Sequence, residues 1–532
     1  MRVLRRFAAL AACAFALASC GGGGGGASHG AVPATSGPVP GSGLPAALPS
    51  IPEVDSVNGV AELTLQAKFD ADGRPAFFWN GQEVAPTIRV QPGDTIKLHF
   101  QNSLPEFCAV GIVSNSNLHF HGLTSSPEPP ADDVITTNAT PGGAVDYVVP
   151  INPDQPPGLY WYHPHPHGLS SWEVGNGMAG AIVVEGIASE VPSTAGLRER
   201  VIILGDVPND SSLAAGESSV ERRAGKVRAS GLARFAKDSD ETGGDSCGPE
   251  TDATPRINGL TQATIGIKPG ETELLRILNA SGHRHFDLSF GGRPFTIVAQ
   301  DGVPIHDYPG APSTLTASDF VIPPAGRIEI LVTGASQPTP IVSKCYLSGT
   351  AGDPNPQVAL GYLADDTNWP NQSQQQTSTR VRKPFALRRS RFYRVPLPAP
   401  AAEHTVHFQE DANGFYLDGK AYDPNGPPAI VSHVGTVEEW TLENDTDEVH
   451  SFHIHQVHFV VESINGVAQP NPHWVDTFDI PPQGVGVQGQ LHPSETKVLI
   501  DFRDPVVRGT FVYHCHILDH EDGGMMAKIQ VI

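Results

Sequence analysis

The sequence predicts an all-β protein made of several β-sandwich or barrel domains, and three observations indicate this fold class. The chain has 532 residues, which is enough for about three domains with proper cores. Its 56 Gly and 49 Pro are spread along the chain, which suits short strands and turns and argues against long helices. A strand, a Gly-centred turn and a strand ending in Asn recur three times, with turn signals at short spacing.

The repeated unit sets the predicted domain boundaries. Its three copies contain Ala76–Asn80, Thr87–Val90 and Thr95–Gln101, then Pro255–Gly259 and Glu273–Asn279, then Ala429–Val434 and Val437–Asn444. We therefore predict domains over residues 55–190, 191–375 and 400–532, with a linker over 376–399. Polar stretches at 209–253 and 364–380 are predicted to be insertions or linkers.

The N-terminus resembles an export signal. Basic residues precede the apolar run Phe7–Ala18, which is too short to span a bilayer, so residues 1–19 are predicted to be a signal peptide. The run ends in Leu17-Ala18-Ser19-Cys20, similar to a bacterial lipobox in which Cys20 would be lipidated; an ordinary signal peptide cut nearby is the alternative. Residues 20–54, rich in Gly, Pro and Ala, would form a tether. We expect an exported protein of the bacterial cell envelope or periplasm, held to a membrane only by this anchor.

Charge and cysteine content narrow the functional classes further. The formal net charge of −23 leaves no basic field for general nucleic-acid binding. Six Cys are too few for a disulfide scaffold. Export permits one disulfide among Cys108, Cys247 and Cys345, but the sequence does not choose the pair.

Histidines are the most informative residues. The chain has 22 His and six His-x-His pairs, where random placement would give about one. Residues two apart on a strand face the same way, so each pair would direct two imidazoles into one space. Neutral imidazole is a favoured ligand of copper and zinc.

The C-terminal segment Tyr513–Met526 contains the most specific pattern. Strand alternation places His514 and His516 on one face and Cys515 on the other. Cys515 and His520 need one more imidazole for a His₂Cys site, and His450 supplies it, because it lies at an odd offset from the His453/His455 pair. With Met525 as a weak axial ligand, this is the ligand set of a blue-copper centre.

Four segments together resemble the four copper motifs of multicopper oxidases, the family of laccases, copper efflux oxidases, ferroxidases and spore-coat laccases. They are Leu118–Gly122, Trp161–His165, His450–His455 and His514–Met525, and the similarity covers about residues 55–532. The resemblance implies three cupredoxin-like Greek-key domains. It also implies four copper ions: a type 1 copper in the third domain and a trinuclear cluster between the first and third.

Carried over position by position, the resemblance assigns a complete set of ligands. Type 1 copper is assigned to His450, Cys515, His520 and Met525, type 2 copper to His119 and His453, and the type 3 pair to His121, His163, His165, His455, His514 and His516. Cys515 is peptide-bonded to two cluster ligands and would carry electrons from the donor site to the site where O₂ is reduced to water.

Two carboxylates are assigned roles on the same basis. Glu521 follows His520, as in efflux and spore-coat enzymes, where this Glu relays protons to oxygen. Asp132 resembles the acid near the trinuclear cluster of laccases, but the adjacent Asp133 leaves that assignment open. Either carboxylate could instead be a solvated loop acid.

Other residues near these motifs have simpler interpretations. We expect His167 to be a packing residue or to lie behind the ligands, His283 and His285 to be structural, and Met526 to belong to the core. His458 could lie near the type 1 site, but this is the less favoured interpretation.

The leading functional hypothesis is a laccase-like oxidase of phenolic or similar aromatic donors that uses O₂ and acts as a monomer. The alternative is a metallo-oxidase acting on Cu(I), Fe(II) or Mn(II). Only four Met argue against a Cu(I)-capturing surface, whereas Asp445, Asp447 and Glu448 could hold a hard cation or a protonated amine, or form a solvated turn. A copper-free envelope protein is disfavoured, because no ligand is missing.

Overall fold

The computed structural model describes residues 43–106, 114–209, 253–367, 392–485 and 490–532. The predicted signal peptide, the lipidation site Cys20, and Cys108 and Cys247 lie outside these ranges, as do most of the two predicted insertions. Within the described ranges, no helix has the length and apolar character needed to cross a membrane.

The first domain is a sandwich of two five-stranded sheets. Its strands are β1 Glu53–Asp55, β2 Val60–Phe69, β3 Pro75–Trp79, β4 Gln82–Glu83, β5 Thr87–Val90, β6 Thr95–Asn102, β7 His119–His121, β8 Ala144–Pro150, β9 Gly158–His163 and β10 Gly180–Val184. One sheet has the order β4-β3-β2-β6-β8 and the other β1-β5-β10-β9-β7. Alternation along β2 directs Leu63 and Leu65 into the core between the sheets, because successive side chains face opposite sides.

The second domain repeats this arrangement. Its strands are β11 Arg198–Pro208, β12 Ala253–Ile257, β13 Ala263–Gly266, β14 Thr272–Asn279, β15 Phe286–Phe290, β16 Phe295–Gln300, β17 Val303–Pro304, β18 Leu315–Ala317, β19 Asp319–Ile322, β20 Arg327–Thr333, β21 Thr339–Lys344, β22 Tyr346–Leu347, β23 Pro354–Asn355 and β24 Val358–Ala364. The main sheets have the orders β12-β11-β14-β20-β16-β17, with β18 beside β16, and β13-β24-β21-β15-β19. Strands β22 and β23 form a separate hairpin.

The third domain has the same topology. Its strands are β25 Ala402–Asp411, β26 Gly414–Leu417, β27 Ile430–Ser432, β28 Val437–Asn444, β29 His450–Ile454, β30 Phe459–Ile464, β31 Val467–Ala468, β32 Trp474–Val475, β33 Thr477–Ile480, β34 Gly484–Val485, β35 Leu491–His492, β36 Ser494–Asp501, β37 Gly509–Cys515 and β38 Met526–Val531. The main sheets have the orders β26-β25-β28-β36-β30-β31, with β32 beside β30, and β27-β38-β37-β29-β33. The prediction of an all-β protein is confirmed.

Among the described residues, the helices are short and lie in the connections. They are the α-helices α1 Ser170–Gly175, α2 Ile187–Glu190 and α3 Leu518–Asp522, and 3₁₀ turns at Pro192–Thr194, Ile305–Asp307 and Pro505–Val507. Asp522 of α3 accepts hydrogen bonds from the backbone N–H groups of Gly168, Ser170 and Ser171 at the start of α1. These bonds satisfy helix donors that have no partner within α1, and they join the first domain to the third.

The Asn that ends the repeated strand has the same structural role in each domain. Asn102, Asn279 and Asn444 are fully buried, and each side-chain amide donates to at least two backbone carbonyls of neighbouring connections. Each side-chain oxygen accepts a backbone N–H two residues further on. Because buried backbone groups need partners, the Asn fixes the turn that follows the strand.

The segment before the first domain is ordered over part of the predicted tether. The predicted tether ends earlier than residue 54: Ala47 and Leu48 are buried, Ala47 pairs with Thr264 of the second domain, and β1 pairs with β5. The few apolar side chains of this segment pack against the sheets, which the composition does not reveal.

Cys345 is disulfide-bonded, with its partner outside the described residues, so the choice between Cys108 and Cys247 stays open.

All three domains meet at a shared apolar cluster. Trp161 and Val174 from the first domain, Leu278 and Ala325 from the second, and Leu518 from the third pack together and are buried. The domains are therefore held in fixed relation near the ends of β7, β9, β29 and β37, where the histidine motifs lie.

A largely buried ion network joins the first and second domains. Arg89 lies 2.9 Å from Glu185 and 2.5 Å from Glu199, and Arg276 lies 3.0 Å from Glu199 and also pairs with Glu329. Burial alone would raise the pKa of Glu199, but Arg276 and Arg89 outweigh it and lower that pKa to about 2.

We predict that Glu199→Gln lowers the free energy of unfolding of the first two domains by about 3 kcal/mol at neutral pH, because it leaves two buried arginines short of a charge partner. A carboxylate whose pKa is depressed in the folded state contributes stability above its unfolded pKa, and this contribution is lost as pH falls toward about 2. The difference between variant and wild type should therefore shrink between about pH 4.5 and 2. Calorimetry over this range measures it, and a difference that does not change with pH would contradict the assigned pKa.

Candidate metal centres

A cluster of histidines lies between the first and third domains. Its members are His119, His121, His163, His165, His453, His455, His514 and His516, and all are buried. Strand pairing assembles them: His119 lies opposite His163 across β7 and β9, and His453 lies opposite His514 across β29 and β37. Alternation sends the intervening Phe120 and Ile454 into their domain cores, so the imidazoles share the space between the domains.

In several of these histidines one ring nitrogen is held by a neighbour while the other has no partner among the described residues. His119 Nδ1 lies 3.1 Å from both Asp132 oxygens, His163 Nδ1 lies 2.8 Å from the Pro164 carbonyl, and His453 Nδ1 lies 2.7 Å from the Asp476 carbonyl. Their Nε2 atoms are buried and without a hydrogen-bond partner in the described chain. A neighbour that fixes one nitrogen while the other is free is the arrangement of metal-binding histidines.

Three further histidines of the cluster place their Nε2 atoms close together. The Nε2 atoms of His165 and His455 each lie 3.2 Å from His514 Nε2. In His121 the two ring nitrogens exchange roles relative to His119: Nε2 lies 3.2 Å from Asp476, and Nδ1 has no partner among the described residues. Three triplets, His119/His121/His163, His119/His453/His455 and His165/His455/His514, each place their ligand atoms within 4.8 Å of one another.

Burial lowers the pKa of most of these imidazoles. Desolvation and neighbouring histidines lower the pKa values of His121, His163, His165, His453, His455 and His516 well below the usual range. Desolvation is also the main cause that lowers the pKa of His514 to about 3. The neutral form has the free lone pair that a metal ion requires, so the cluster fits several copper ions.

A second group lies inside the third domain. His450 Nδ1 and His520 Nδ1 are 3.1 Å apart, and Cys515 Sγ lies 3.6 Å from the first and 3.7 Å from the second. All three side chains are buried, and Met525 lies in the same core cluster as Cys515. Burial raises the pKa of the Cys515 thiol, but a bound metal ion deprotonates a coordinating thiol. The group therefore fits the His₂Cys set of a type 1 copper.

The outer nitrogens of His450 and His520 are covered by one turn. Thr446 Oγ1 lies 2.9 Å from His450 Nε2, and Glu448 Oε1 lies 3.2 Å from His520 Nε2. Of the three acids in this turn, only Glu448 is buried against one of these two histidines. Gln409 donates to Asp445, and Gln483 donates to the exposed Asp447. The hypothesis of a common cation site at these acids is thus weakened, because their side chains have separate partners.

Glu521 lies at the histidine cluster. It is fully buried in α3, with one carboxylate oxygen 3.2 Å from His514 Nδ1 and the other 3.6 Å from His165 Nδ1. Burial and the neighbouring Asp522 raise the pKa of Glu521 well above its usual range. The solvated alternative considered for this residue is wrong, because its side chain has no exposed surface.

The structure distinguishes the two adjacent aspartates. Asp132 contacts His119 and accepts a hydrogen bond from the Phe120 backbone N–H at 2.9 Å. Asp133 instead accepts from the backbone N–H groups of Ile135 and Thr136, which makes it a turn-forming residue. Asp132 is therefore the acid beside the cluster.

Sequence reasoning did not identify Asp476 and Arg327. Arg327 of the second domain donates to both Asp476 oxygens at 2.7 and 2.6 Å, and Asp476 also contacts His121. This buried pair joins the second and third domains directly behind a cluster histidine. No motif marks it, because its two residues lie on different domains and neither belongs to a His-x-His segment.

The remaining histidines lie outside both groups. His167 is exposed and contacts the Tyr422 ring, whereas the buried His285 stacks on Tyr346 and lies 3.1 Å from Asp479. His283 lies 3.5 Å from Asp206. His458 contacts the Tyr393 hydroxyl at 2.9 Å and lies 3.6 Å from Asp476, on the side of the histidine cluster. The less favoured placement of His458, near the predicted type 1 site, is therefore not what the structure shows.

Comparisons with known proteins agree with this geometry. Three family models, each described as multicopper oxidase, match residues 64–189, 217–365 and 394–532. The chain is 25% identical to a multicopper oxidase of Staphylococcus aureus over 89% of both chains, and 23% identical to a laccase of Bacillus subtilis over 88% of this chain and 93% of that one. In fold it is similar to a multicopper oxidase from Campylobacter jejuni described as a metallo-oxidase. That match has a TM-score of 0.65 and 22% identity, and covers 93% of this chain and 98% of the other.

We predict that Cys515→Ser yields a folded but colourless protein that does not oxidise donors, because the intense visible absorption of a blue-copper site comes from its Cu(II)–thiolate bond. Cys515 is the only free cysteine among the described residues. Met526→Leu is the matched control: it changes a buried side chain beside Met525 and should keep the colour. Visible absorption of the copper-loaded proteins checks this, and a blue Cys515→Ser protein would show that the ligand assignment is wrong.

Proposed function

Because the chain belongs to the multicopper oxidase family of copper-dependent oxidoreductases that use O₂, we propose that it oxidises phenolic or similar donors one electron at a time. These electrons are used to reduce O₂ to water at a separate site. The observation that carries the proposal is the pair of buried ligand groups joined by consecutive residues: Cys515 lies in one group, and its neighbours His514 and His516 lie in the other.

The donor sets divide into one site for a single ion and one for three. His450, Cys515, His520 and Met525 would hold the type 1 copper, His119 and His453 the type 2 copper, and His121, His163, His165, His455, His514 and His516 the type 3 pair. Bound copper supplies the one-electron redox chemistry at the first site and the reduction of O₂ at the second.

Residues 514–516 provide the shortest covalent connection between the two sites. The Cys515 thiol points into the third-domain core, and the flanking imidazoles point into the cluster, because successive residues of an extended chain face opposite sides. His514 Nδ1 also lies 3.0 Å from the Cys515 carbonyl oxygen, which adds a hydrogen bond to this path. Electrons accepted on the donor side thus have a direct through-bond path to the cluster.

Two carboxylates would handle protons and orientation. Reduction of one O₂ to two waters consumes four protons, so the cluster needs an acid within reach. Glu521 contacts two cluster imidazoles and is the proposed proton relay. Asp132 holds His119 Nδ1, which directs the Nε2 of that ring toward the type 2 position.

The positions of the methionines and of three acidic residues favour an organic donor. The two buried Met at the C-terminus are accounted for by the type 1 site and the core, and Met178 lies in the core of the first domain, so a thioether surface for Cu(I) is absent from the described residues. The separate partners of Asp445, Asp447 and Glu448 likewise disfavour a dedicated site for Fe(II) or Mn(II). A metallo-oxidase therefore remains the second candidate.

Location follows from the N-terminal sequence. A basic start, a short apolar run and a lipobox-like end at Cys20 support export to the bacterial cell envelope with a lipid anchor. The flexible composition that follows would separate the catalytic domains from the membrane surface.

We predict that Glu521→Gln slows reoxidation of the reduced enzyme by O₂ at least tenfold, because the amide keeps the size of the side chain but does not relay a proton. Reduction by the donor should stay near normal. Glu448→Gln is the matched control, since it alters a buried glutamate on the donor side and should leave reoxidation unchanged. Stopped-flow measurement of both half-reactions separates the two roles, and equal reoxidation rates for Glu521→Gln and wild type would make Glu521 a structural residue.

We also predict that kcat/KM for a dimethoxyphenol exceeds kcat/KM for Cu(I), because the described surface has no Met cluster to bind this soft ion. Steady-state kinetics on the phenol, Cu(I), Fe(II) and Mn(II) test this, with Cys515→Ser as the control for uncatalysed oxidation. If a metal ion has the highest specificity constant, the phenol-oxidase proposal is replaced by the metallo-oxidase one.

A further inference from the structure

Gln456, the residue after the cluster histidine His455, has an unusual backbone conformation. Its φ is +65°, and the Val457 N–H donates to the His455 carbonyl at 2.8 Å. A three-residue turn with positive φ at its centre is the rare, strained form of γ-turn. Glycine adopts this conformation without steric cost, whereas a glutamine does not, so the side chain must compensate for the strain.

The Gln456 side chain is buried and fully engaged. Its amide Nε2 donates to Asp132 Oδ2 at 3.0 Å and approaches the Asp132 carbonyl at 3.3 Å. Its Oε1 accepts a hydrogen bond from the Ser125 hydroxyl at 3.0 Å. Because Oε1 receives the hydroxyl proton, the NH₂ group is directed at the carboxylate.

These contacts cross the boundary between domains at a functionally critical place. Gln456 belongs to the third domain, while Ser125 and Asp132 belong to the first. Asp132 in turn contacts His119 Nδ1 at 3.1 Å and accepts the Phe120 N–H at 2.9 Å. The carboxylate that orients His119 is thus fixed by one donor from its own domain and one from the opposite domain.

We propose that Gln456 is a positioning residue for the type 2 site. Its amide fixes the Asp132 carboxylate, Asp132 fixes the His119 ring, and the strained turn is the conformation that lets the amide reach across the interface. This inference rests on the proposed function, because it takes His119 and His453 as the type 2 ligands.

If Gln456 only filled space, two variants would affect the site in the opposite order of severity. Gln456→Glu keeps the size of the side chain but replaces the donor with a carboxylate facing Asp132. Gln456→Gly removes the side chain and relieves the backbone strain. If packing alone mattered, Glu would be tolerated and Gly would be harmful; if donation to Asp132 matters, Glu is the more harmful change.

The test uses the copper-loaded full-length protein. We expect Gln456→Gly to retain the blue absorption and to lose type 2 copper to a chelator about tenfold more readily than wild type. Gln456→Glu should lose it more readily still, and the type 2 EPR signal should change in both variants. Asn58→Gly is the matched control: Asn58 also has positive φ, 54°, but lies exposed in the turn between β1 and β2, so both readouts should match wild type.

A second measurement separates positioning from a local structural effect. In an Asp132→Asn background, Gln456→Gly should add no further loss of type 2 copper, because the proposed effect acts only through the Asp132 carboxylate. Full additivity, or greater loss in the Gly variant than in the Glu variant, would overturn the inference while leaving the oxidase assignment intact. A wild-type protein that shows no type 2 EPR signal when loaded with copper would overturn both.

Discussion

The structure depends on a single physical constraint: eight imidazoles from two domains are buried in one space. Burial lowers the pKa values of most of these rings, so those rings are neutral, and several of them carry a ring nitrogen that has no protein partner among the described residues. Buried polar atoms without partners are costly. Metal ions bound in this space would satisfy these atoms, provided that the two domains are held in register around them.

The connections between domains meet this requirement. Three contacts cross domain boundaries beside the cluster: the Arg327–Asp476 pair, the Asp522 bonds to the start of α1, and the Gln456–Asp132 contact. Asp476 contacts His121, Asp522 follows Glu521 in the chain, and Gln456 follows His455. The shared apolar cluster around Trp161 and Leu518 lies beside them. The geometry of the histidine cluster therefore depends on the stability of the domain interfaces, because a shift between the domains would separate the two halves of the ligand set.

Much of this could be predicted from the sequence because the ligands lie on strands of known period. The spacing of His514, Cys515 and His516 dictates which side chains share a face, and the Asn-terminated repeat marks equivalent strands in all three domains. Glu521 and Asp132 were reached through family resemblance. The His-x-His pattern alone does not distinguish His283 and His285 from the predicted ligands. Their contacts in the second domain make this distinction.

The rest could not be predicted because it depends on contacts between residues far apart in sequence. Arg327 and Gln456 act across domain boundaries, and no local pattern reports which surfaces meet. The short ordered segment around Ala47 looks like tether by composition, yet it pairs with the second domain. The acids of the turn at 445–448 form one run in sequence, but the turn fixed by Asn444 directs only Glu448 toward His520.

The most direct test is a crystal structure of the copper-loaded protein with anomalous scattering measured at the copper edge. Four peaks per chain are expected: one between His450 Nδ1, Cys515 Sγ and His520 Nδ1, and three within the histidine cluster between the first and third domains. Fewer than three peaks in the cluster, or a fully occupied copper at His283 and His285 in place of the type 1 position, would contradict it.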